Sequence, residues 1–312
     1  MSAEALSDHE SLQQKWRDNG YCIAPKLLTS PEISELRDAA RRLAVATSGQ
    51  DYVGKKIPGE LMSHQDLRWL IVDPRILGLA RELLGPEVVY FGDSKVSVLD
   101  NRGKFHMDNG RRGPWPTGPG YDPFDPEEGP YTVVRFMIYL QDHQRFAGNL
   151  RVRTGSHNDP TPKLTVLPRD ALYWAMGRLK TAPRPPRGKR RNMNTSLGDV
   201  VAFNLRTTHS VNAIRLAGRP ELCLDPTIER FVPGRLRAPE TERFAIQLTF
   251  AAPGVHLDRF IESRKRPQFR VRYQGSTLDS AETAELAARV RLTLRTDLIE
   301  HARDHASGER TS

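Results

Sequence analysis

The stretch Phe105-His106-Met107-Asp108 decides how the rest of this chain must fold. Side chains alternate between the two faces of a β-strand, so on a strand His106 and Asp108 point in the same direction. An imidazole and a carboxylate on one face supply two of the three groups of a 2-His-1-carboxylate metal site, which leaves coordination positions open. The fold must then bring a second histidine from far along the sequence, and His209 is the candidate.

The His-x-Asp pattern identifies nothing by itself, because the sequence contains it four times, at positions 64/66, 106/108, 157/159 and 256/258. The first copy lies in a segment of helical character, where side chains i and i+2 do not face each other. Between the third copy and His209 the chain is mainly basic and rich in proline, with too few strand-like segments to form the intervening sheet. After the fourth copy only two histidines remain, both close to the C-terminus. The chain order therefore supports only the pair at 106/108 combined with His209.

Length, charge and cysteine content restrict the class of protein. The 312 residues suffice for one large domain with a full core. A net charge of +9 indicates either an anionic partner or substrate, or simply a solvated basic loop. Cys22 and Cys223 cannot form a disulfide framework, and a reducing cytoplasm is the expected compartment. The sequence has no long apolar segment and no export signal at its N-terminus, so we expect no membrane association.

Short β-strands dominate the centre of the chain, and helices flank them. Capping sequences predict helices from Thr29 to about Val45 and from Asp73 to Leu84, and apolar periodicity predicts one amphipathic helix from Ser280 to His301. Strand patterns occur at 88–91, 95–99, 131–140, 149–152, 200–209 and 243–250. This pattern predicts an α+β, mainly β fold: a double-stranded β-helix (a cupin-like jelly roll) flanked by N-terminal and C-terminal helices.

We expect a single domain over residues 1–312, with three insertions and a flexible tail at 303–312. The insertion at about 109–130 is rich in glycine and proline and carries aromatic residues, which favours a lid loop. The insertion at about 160–195 is basic, and it is either a solvated loop or a clamp for a phosphate or carboxylate. The third insertion, at about 211–241, precedes the last strand.

Five sequence blocks, in the right order, resemble the phytanoyl-CoA dioxygenase family of Fe(II)/2-oxoglutarate-dependent oxygenases over roughly residues 10–260. The proximal metal pair of the family is matched by His106-Met107-Asp108. The remaining blocks are 16–21 together with 27–32, 73–85, 139–142 together with 148–157, and 198–203 leading to His209. The resemblance also gives His157 a structural role, as a turn residue at the end of a strand.

The resemblance implies a mechanism and a set of ligands. His106, Asp108 and His209 would bind Fe(II), with 2-oxoglutarate as cosubstrate and dioxygen (O2) as oxidant. Conversion of 2-oxoglutarate to succinate and CO2 would accompany hydroxylation of an unactivated C–H bond in a small molecule, either acidic or resembling a secondary metabolite. Desaturation, epoxidation and cyclisation are further reactions that the same site could perform.

Family members also hold the far carboxylate of 2-oxoglutarate with an arginine, whose planar guanidinium donates two parallel hydrogen bonds. Arg243 begins a strand that resembles the arginine-bearing strand of the family and is the first choice. It lies further from the distal histidine than is usual, so Arg219 is a rival. Lys95 and Ser97, on the strand before His106, either line the same pocket or are structural.

Two other functions compete with this one. The protein could be a non-catalytic jelly-roll binding protein that has kept the metal motif. It could also be a nucleic-acid-modifying oxygenase that uses the basic residues at 180–191, although nucleic acid is disfavoured as a partner. The sequence leaves the oligomeric state open.

Overall fold

The computed structural model describes residues 11–53, 57, 60–98, 103, 105–108, 122, 125–158, 188–211, 213–224, 226, 228–266, 269, 273 and 275–308. Its strands are β1 (Tyr21–Ala24), β2 (Val89–Val98), β3 (Val133–Tyr139), β4 (Arg151–Arg153), β5 (Arg190–Asn192), β6 (Val200–Asn204), β7 (His209–Ser210), β8 (Phe244–Ala251) and β9 (Thr293–Leu294). Its helices are α1 (Leu12–Asn19), α2 (Ser30–Ser48), α3 (Trp69–Val72), α4 (Pro74–Leu84), α5 (Val255–Arg264), α6 (Ala281–Arg289) and α7 (Asp297–Gly308). Short 3-10 turns occupy Leu61–Ser63, Pro126–Glu128, Ser156–Asn158, Glu229–Phe231 and Gly234–Leu236.

The strands form two sheets that face each other. The larger sheet has the order β1-β6-β3-β8-β2-β9, and the smaller has the order β5-β4-β7, which an antiparallel bridge between His106 and His209 extends by one further segment. From β2 to β8 the chain passes back and forth between the two sheets. This alternation is the topology of a jelly roll, so the predicted fold class is confirmed.

The central strand β3 explains why the large sheet is stable. All seven of its residues are buried, which is typical of a strand that is covered on both faces. One face contacts the small sheet, and the other lies under the N-terminal helices, whose apolar residues belong to the same core. A sheet covered in this way can carry polar side chains on its inner face without exposing them widely to water.

Local signals set the ends of the N-terminal helices. The Thr29 hydroxyl accepts from the backbone N–H of Glu32, and the Glu32 carboxylate accepts from the N–H of Thr29, a reciprocal capping box. The Asp73 carboxylate caps α4 by accepting from the N–H groups of Arg75 and Ile76. Both predicted helices are confirmed, and α2 runs three residues further than Val45.

Four predicted elements differ in the structure. The strand predicted at 200–209 is one of them, because β6 ends at Asn204 and His209 begins β7 in the small sheet. The two strands predicted at 88–91 and 95–99 are one strand, β2 (Val89–Val98), with an irregularity between Tyr90 and Ser94 where Gly92 has a φ of +81°; residue 99 lies outside the described residues. The predicted C-terminal helix from Ser280 to His301 is wrong: α6 ends at Arg289, and β9 then pairs parallel with the start of β2 before α7 begins. Helical periodicity could not reveal this, because the break serves an edge strand that is remote in sequence.

The insertions are only partly described. In the predicted lid loop (109–130), residues 109–121 and 123–124 lie outside the described residues. The described part, 122 and 125–130, contains the 3-10 turn Pro126–Glu128. Of the predicted basic insertion, residues 160–187 also lie outside the described residues, and Arg190–Asn192 form strand β5, which pairs with β4. Helix α7 continues to Gly308, so the tail predicted from 303 is helical to that point. Within the described residues, no helix combines the length and apolar character needed to cross a membrane.

Candidate metal centre

The two predicted histidines face each other across the edge of the small sheet. The N–H of His106 donates to the carbonyl of His209 at 2.8 Å, and the N–H of His209 donates back at 2.9 Å. Their ring centroids lie 4.4 Å apart. The stretch 105–108 is therefore not the regular strand that we expected, because only residue 106 pairs with the sheet and Asp108 lies in a turn. The N–H of Asp108 is held instead by the carbonyl of Leu205, at 3.1 Å.

This turn still brings the Asp108 carboxylate between the two imidazoles. Its Oδ1 lies 3.8 Å from Nε2 of His106, and its Oδ2 lies 3.6 Å from Nε2 of His209. One ligand atom from each of the three residues lies within 4.8 Å of the others. The side chain of His106 is 47 % exposed, whereas that of His209 is 4 % exposed. The site therefore opens to solvent on the His106 side and is closed behind His209.

Surrounding groups set the orientation and charge state of His209. Its Nδ1 lies 2.9 Å from the carbonyl of Thr207, which can only accept, so Nδ1 donates and Nε2 faces the site with its lone pair. Burial is the main cause that lowers the pKa of His209, to about 4. The ring of Phe203 packs against it at a centroid distance of 4.7 Å. A neutral, oriented imidazole is the form that binds a metal ion.

A buried arginine holds Asp108 from the large sheet. Arg135, on β3, donates to Oδ2 of Asp108 through one terminal nitrogen and to Oδ2 of Asp93 through the other, at 2.5 Å. Its Nε donates to the hydroxyl of Thr249, which in turn donates to Asp93 at 2.8 Å. Burial acts to raise the pKa of Asp108, but Arg135 and the two imidazoles outweigh it, so the pKa lies well below its ordinary value.

Sequence reasoning missed Arg135. The signal was present, since a single arginine interrupts the apolar strand Val133–Tyr139. A charged residue in a strand that is otherwise fully buried requires a partner of opposite charge. The partners, Asp93 and Asp108, lie on two other segments, so the sequence alone could not identify them.

Strand register continues the polar surface away from the metal centre. Arg135 of β3 pairs with Thr249 of β8. Further along these strands, neighbouring residues of β3, β8 and β2 lie side by side in two sets: Met137, Gln247 and Lys95, then Tyr139, Ala245 and Ser97. Because side chains alternate along a strand, all of these residues lie on the inner face that carries Arg135. Lys95, Ser97 and Gln247 are partly exposed although they belong to the interior sheet. The structure thus places Lys95 and Ser97 on the surface that leads inward from the triad.

Arg243 lies at the buried end of this surface. It is 6 % exposed, and its guanidinium contacts Gly148, where an added Cβ would come within 2.2 Å of a terminal nitrogen. The hydroxyl of Tyr139 is also buried, with no hydrogen-bond partner among the residues that the structure describes. Arg219, in contrast, lies in an exposed turn after β7. The structure therefore places Arg243, and not Arg219, between the two sheets.

Behind Arg243, a neutral histidine completes a polar network. The Gln141 side chain lies 3.1 Å from Nε2 of His143, whose Nδ1 lies 3.2 Å from the hydroxyl of Thr195. Burial first, and then the positive charge of Arg243, lower the pKa of His143 to about 3. His143 therefore remains uncharged at neutral pH and adds no positive charge beside Arg243.

A second group of potential metal ligands, Asp122, Glu128 and His256, has a different character. Arg206 donates to Asp122 at 2.7 Å, and Arg259 donates to both Asp122 and Glu128. Nδ1 of His256 lies 2.8 Å from the other oxygen of Asp122. The two guanidinium groups already neutralise both carboxylates, so this cluster is an ion-pair network that ties helix α5 to residues within the predicted lid, 109–130.

The sequence matches one protein family. The model of the family described as phytanoyl-CoA dioxygenase (PhyH) matches residues 16–215, more than half of the chain. The match contains His106, Asp108 and His209, and ends before Arg243. No match is found among curated proteins.

Solved structures with a similar fold have low sequence identity to this chain. The apo form of the non-heme monooxygenase ThoJ has a TM-score of 0.51 and 14% identity, covering 78% of each chain. HygX from Streptomyces hygroscopicus, with nickel and 2-oxoglutarate bound, has a TM-score of 0.50 and 15% identity, covering 81% of this chain and 87% of that one. The alpha-ketoglutarate-dependent epimerase SnoN from nogalamycin biosynthesis has a TM-score of 0.47 and 19% identity, covering 77% and 82%. At these identities the similarity to ThoJ and HygX establishes the fold alone.

Proposed function

The chain belongs to the phytanoyl-CoA dioxygenase family, and from this premise we propose that it is an Fe(II)- and 2-oxoglutarate-dependent oxygenase. The proposed reaction is hydroxylation of a C–H bond in a small molecule, with conversion of 2-oxoglutarate to succinate and CO2. The observation that carries the proposal is the convergence of His106, Asp108 and His209, whose ligand atoms lie within 4.8 Å of one another.

The donor set fits Fe(II). Two imidazole nitrogens and one carboxylate oxygen are the ligands of the 2-His-1-carboxylate site, which is typical of non-haem Fe(II) oxygenases. The hydrogen bond from Nδ1 of His209 to Thr207 leaves Nε2 available as a ligand. Arg135 occupies Oδ2 of Asp108, so Oδ1, which faces His106, is the oxygen that we assign to the metal.

The inner face of the large sheet is suited to an extended dicarboxylate. We assign the far carboxylate of 2-oxoglutarate to Arg243, with the hydroxyl of Tyr139 as a second donor at the same end. Lys95 and Ser97 lie along the path between this end and the triad. Arg243 is suited to the role because it directly precedes the rigid strand β8 and its planar guanidinium can donate two parallel hydrogen bonds. Its burial excludes the water that would otherwise weaken them.

When bound, Fe(II) with 2-oxoglutarate and O2 supplies the oxidising chemistry. The chain itself contributes position, charge and a partly dry environment. Arg135 keeps Asp108 ionised and correctly oriented, Phe203 closes the rear of the site against His209, and the exposed side of His106 leaves an approach for the substrate. If this assignment is right, turnover depends on His106, Asp108 and His209 and not on the other His-x-Asp copies.

The test is iron-dependent conversion of 2-oxoglutarate to succinate by the full chain, measured together with Mn(II) binding. We expect both to be abolished in the separate variants His106→Ala, Asp108→Ala and His209→Ala, because each removes one of three ligands. Asp258→Ala is the matched control: it removes the exposed carboxylate of another His-x-Asp copy and should leave both measurements unchanged. Turnover at the wild-type level in any ligand variant would refute the assignment, and absence of iron-dependent turnover from the wild type would favour a binding protein without catalysis.

A further inference from the structure

Arg264, the last residue of helix α5, is a buried cation whose hydrogen-bonding capacity is not used by the described residues. It is 8 % exposed, and its guanidinium carbon lies 4.4 Å from the ring centroid of Phe260 and 4.8 Å from that of Phe269. Its Nε is buried and has no hydrogen-bond partner in the described part of the chain. Aromatic faces stabilise a cation but do not satisfy its five N–H donors.

The nearest carboxylate, that of Asp93, does not satisfy the hydrogen-bond donors of Arg264. The closest approach to Asp93 is 3.9 Å, between Nε and Oδ1, which is too long for a hydrogen bond. The other oxygen of Asp93 already accepts from Arg135 at 2.5 Å and from Thr249 at 2.8 Å. Burying the Nε of a charged guanidinium without a hydrogen bond costs free energy that a purely structural role would not require.

Another arginine on the same helix shows what a structural role looks like. Arg259 donates to Asp122 at 2.9 Å and to both oxygens of Glu128, at 2.7 and 2.6 Å, and it is less buried than Arg264. The more buried arginine of α5 therefore has the fewer partners. This is the reverse of what the desolvation of a charge demands.

Arg264 lies at the end of the jelly roll that holds the metal triad. Helix α5 begins four residues after β8 ends, and Phe260 packs edge-on against Phe91 of β2 at 5.7 Å. Asp93, which lies 3.9 Å from Nε of Arg264, accepts a hydrogen bond from Arg135, and Arg135 also donates to Asp108. The helix also lies beyond residues 16–215, which match the family, so Arg264 is a feature of this chain outside the matched region.

We propose that Arg264 binds an anionic group of the substrate, a carboxylate or a phosphate, while Phe260 and Phe269 provide an apolar wall beside it. The substrate class is thus an acidic small molecule with apolar or ring surface. This inference rests on the proposed function, because it assumes that a substrate is held at this end of the jelly roll. It assigns the recognition of charge to helix α5 and not to the basic insertion.

The test uses the full chain loaded with Mn(II) and saturated with 2-oxoglutarate, so that Arg243 is occupied and no oxidation takes place. Binding of three probes is measured by calorimetry: phenylacetate, phenyl phosphate and the neutral phenylacetamide. We expect the wild type to bind at least one anionic probe and to bind the amide at least tenfold more weakly. The stronger of the two anions identifies the anionic group.

Arg264→Met should weaken binding of the anionic probe at least tenfold, because a charged hydrogen bond in a desolvated site is lost. Arg289→Met, which removes the same charge from an exposed position of α6, is the control and should have no effect. Binding that is unchanged in Arg264→Met, or absent from the wild type, overturns the proposal. If the methionine variant does not fold, Arg264→Lys keeps the charge but loses the planar fork, and affinity equal to that of the wild type would then overturn it.

The experiment distinguishes a failure of the role proposed for Arg264 from a failure of the proposed oxygenase function. Mn(II) and 2-oxoglutarate binding are measured in the same samples and should be unaffected by Arg264→Met. If they are absent from the wild type, the oxygenase proposal fails, while the anionic probes still report on Arg264. If they are present and the probes do not bind, only the role of Arg264 fails.

Discussion

Arg135 shares one guanidinium between Asp93 and Asp108, two carboxylates that would otherwise face each other in a buried site. The side chain of Arg135 is 6 % exposed and that of Asp93 is 2 % exposed, so water screens this interaction weakly. Such an arrangement stabilises the protein only while all of its members are present. Arg135 therefore contributes both to folding and to the geometry of the metal ligand.

We predict that Arg135→Met lowers the free energy of unfolding by about 3–5 kcal/mol, because two buried carboxylates lose their common partner. It should also weaken Mn(II) binding roughly 10–100-fold, as expected when the group that orients a ligand is removed. Urea denaturation and calorimetry measure the two effects. Arg68→Met, which breaks the surface pair with Glu282, is the control and should leave both measurements close to those of the wild type. A metal affinity equal to that of the wild type would contradict the positioning role.

The element that brings Arg243 into the interior is β8, and the turn before β4 gives its side chain room. Gly148 has a φ of +104°, and its missing Cβ leaves the space that the Arg243 guanidinium occupies. The N–H of Gly148 donates to the carbonyl of Ala213 at 2.8 Å, which fixes the turn to the segment that follows β7. Sheet register and one glycine together define the position of the arginine.

We predict that Gly148→Ala raises the dissociation constant of 2-oxoglutarate roughly 10–100-fold while leaving Mn(II) affinity unchanged, because the methyl group displaces the Arg243 guanidinium and its charged hydrogen bonds. Titration of the Mn(II)-loaded protein by calorimetry measures both constants. Gly275→Ala is the matched control: its φ is +73°, so the backbone is strained in a similar way, but nothing lies within 4 Å of the added carbon. Equal effects of the two variants would show that backbone strain, and not Arg243, is responsible.

At the scale of the whole molecule, burial between the sheets keeps histidines neutral. The pKa of His143 falls to about 3 through burial and then through Arg243, whereas an unfolded histidine titrates near 6.5. Between these values the unfolded chain binds a proton that the folded protein rejects. The resulting stability is fully present above pH 6.5 and is lost progressively as the pH falls toward 3.

We therefore predict that the protein becomes less stable as the pH is lowered from 7.5 to 5, with His143 responsible for about 2 kcal/mol of the change. In His143→Asn, which has no titrating group at this position, the decrease in unfolding free energy over this range should be smaller by that amount. Urea denaturation at the two pH values measures it. His305→Asn removes an exposed histidine of α7 and should leave the pH dependence as in the wild type; equal slopes for wild type and His143→Asn would disprove the assignment.

Short-range sequence patterns were sufficient to predict the N-terminal helices and the jelly-roll fold. Helix caps such as Thr29 and Asp73 act within one turn, and alternation of apolar residues acts along a single strand, so both can be recognised without knowledge of distant contacts. The order of strands between Asp108 and His209 selected one of four His-x-Asp copies, and the structure brings these side chains together with His106. Periodicity failed at the C-terminus, where pairing with β2 replaced the middle of the predicted helix, and at 105–108 and 200–209, where turns interrupt the predicted strands.

Contacts across the two sheets were decided by the tertiary structure. The sequence could not distinguish Arg243 from Arg219, because only packing shows that one lies between the sheets and the other in an exposed turn. It also did not reveal Arg135 or Arg264, since the importance of a buried charge depends on which partners it meets and which it lacks. The periodicity of a strand or helix depends on residues that are close together in the sequence. The electrostatic environment of a side chain depends on charged and polar groups that folding brings together from remote segments.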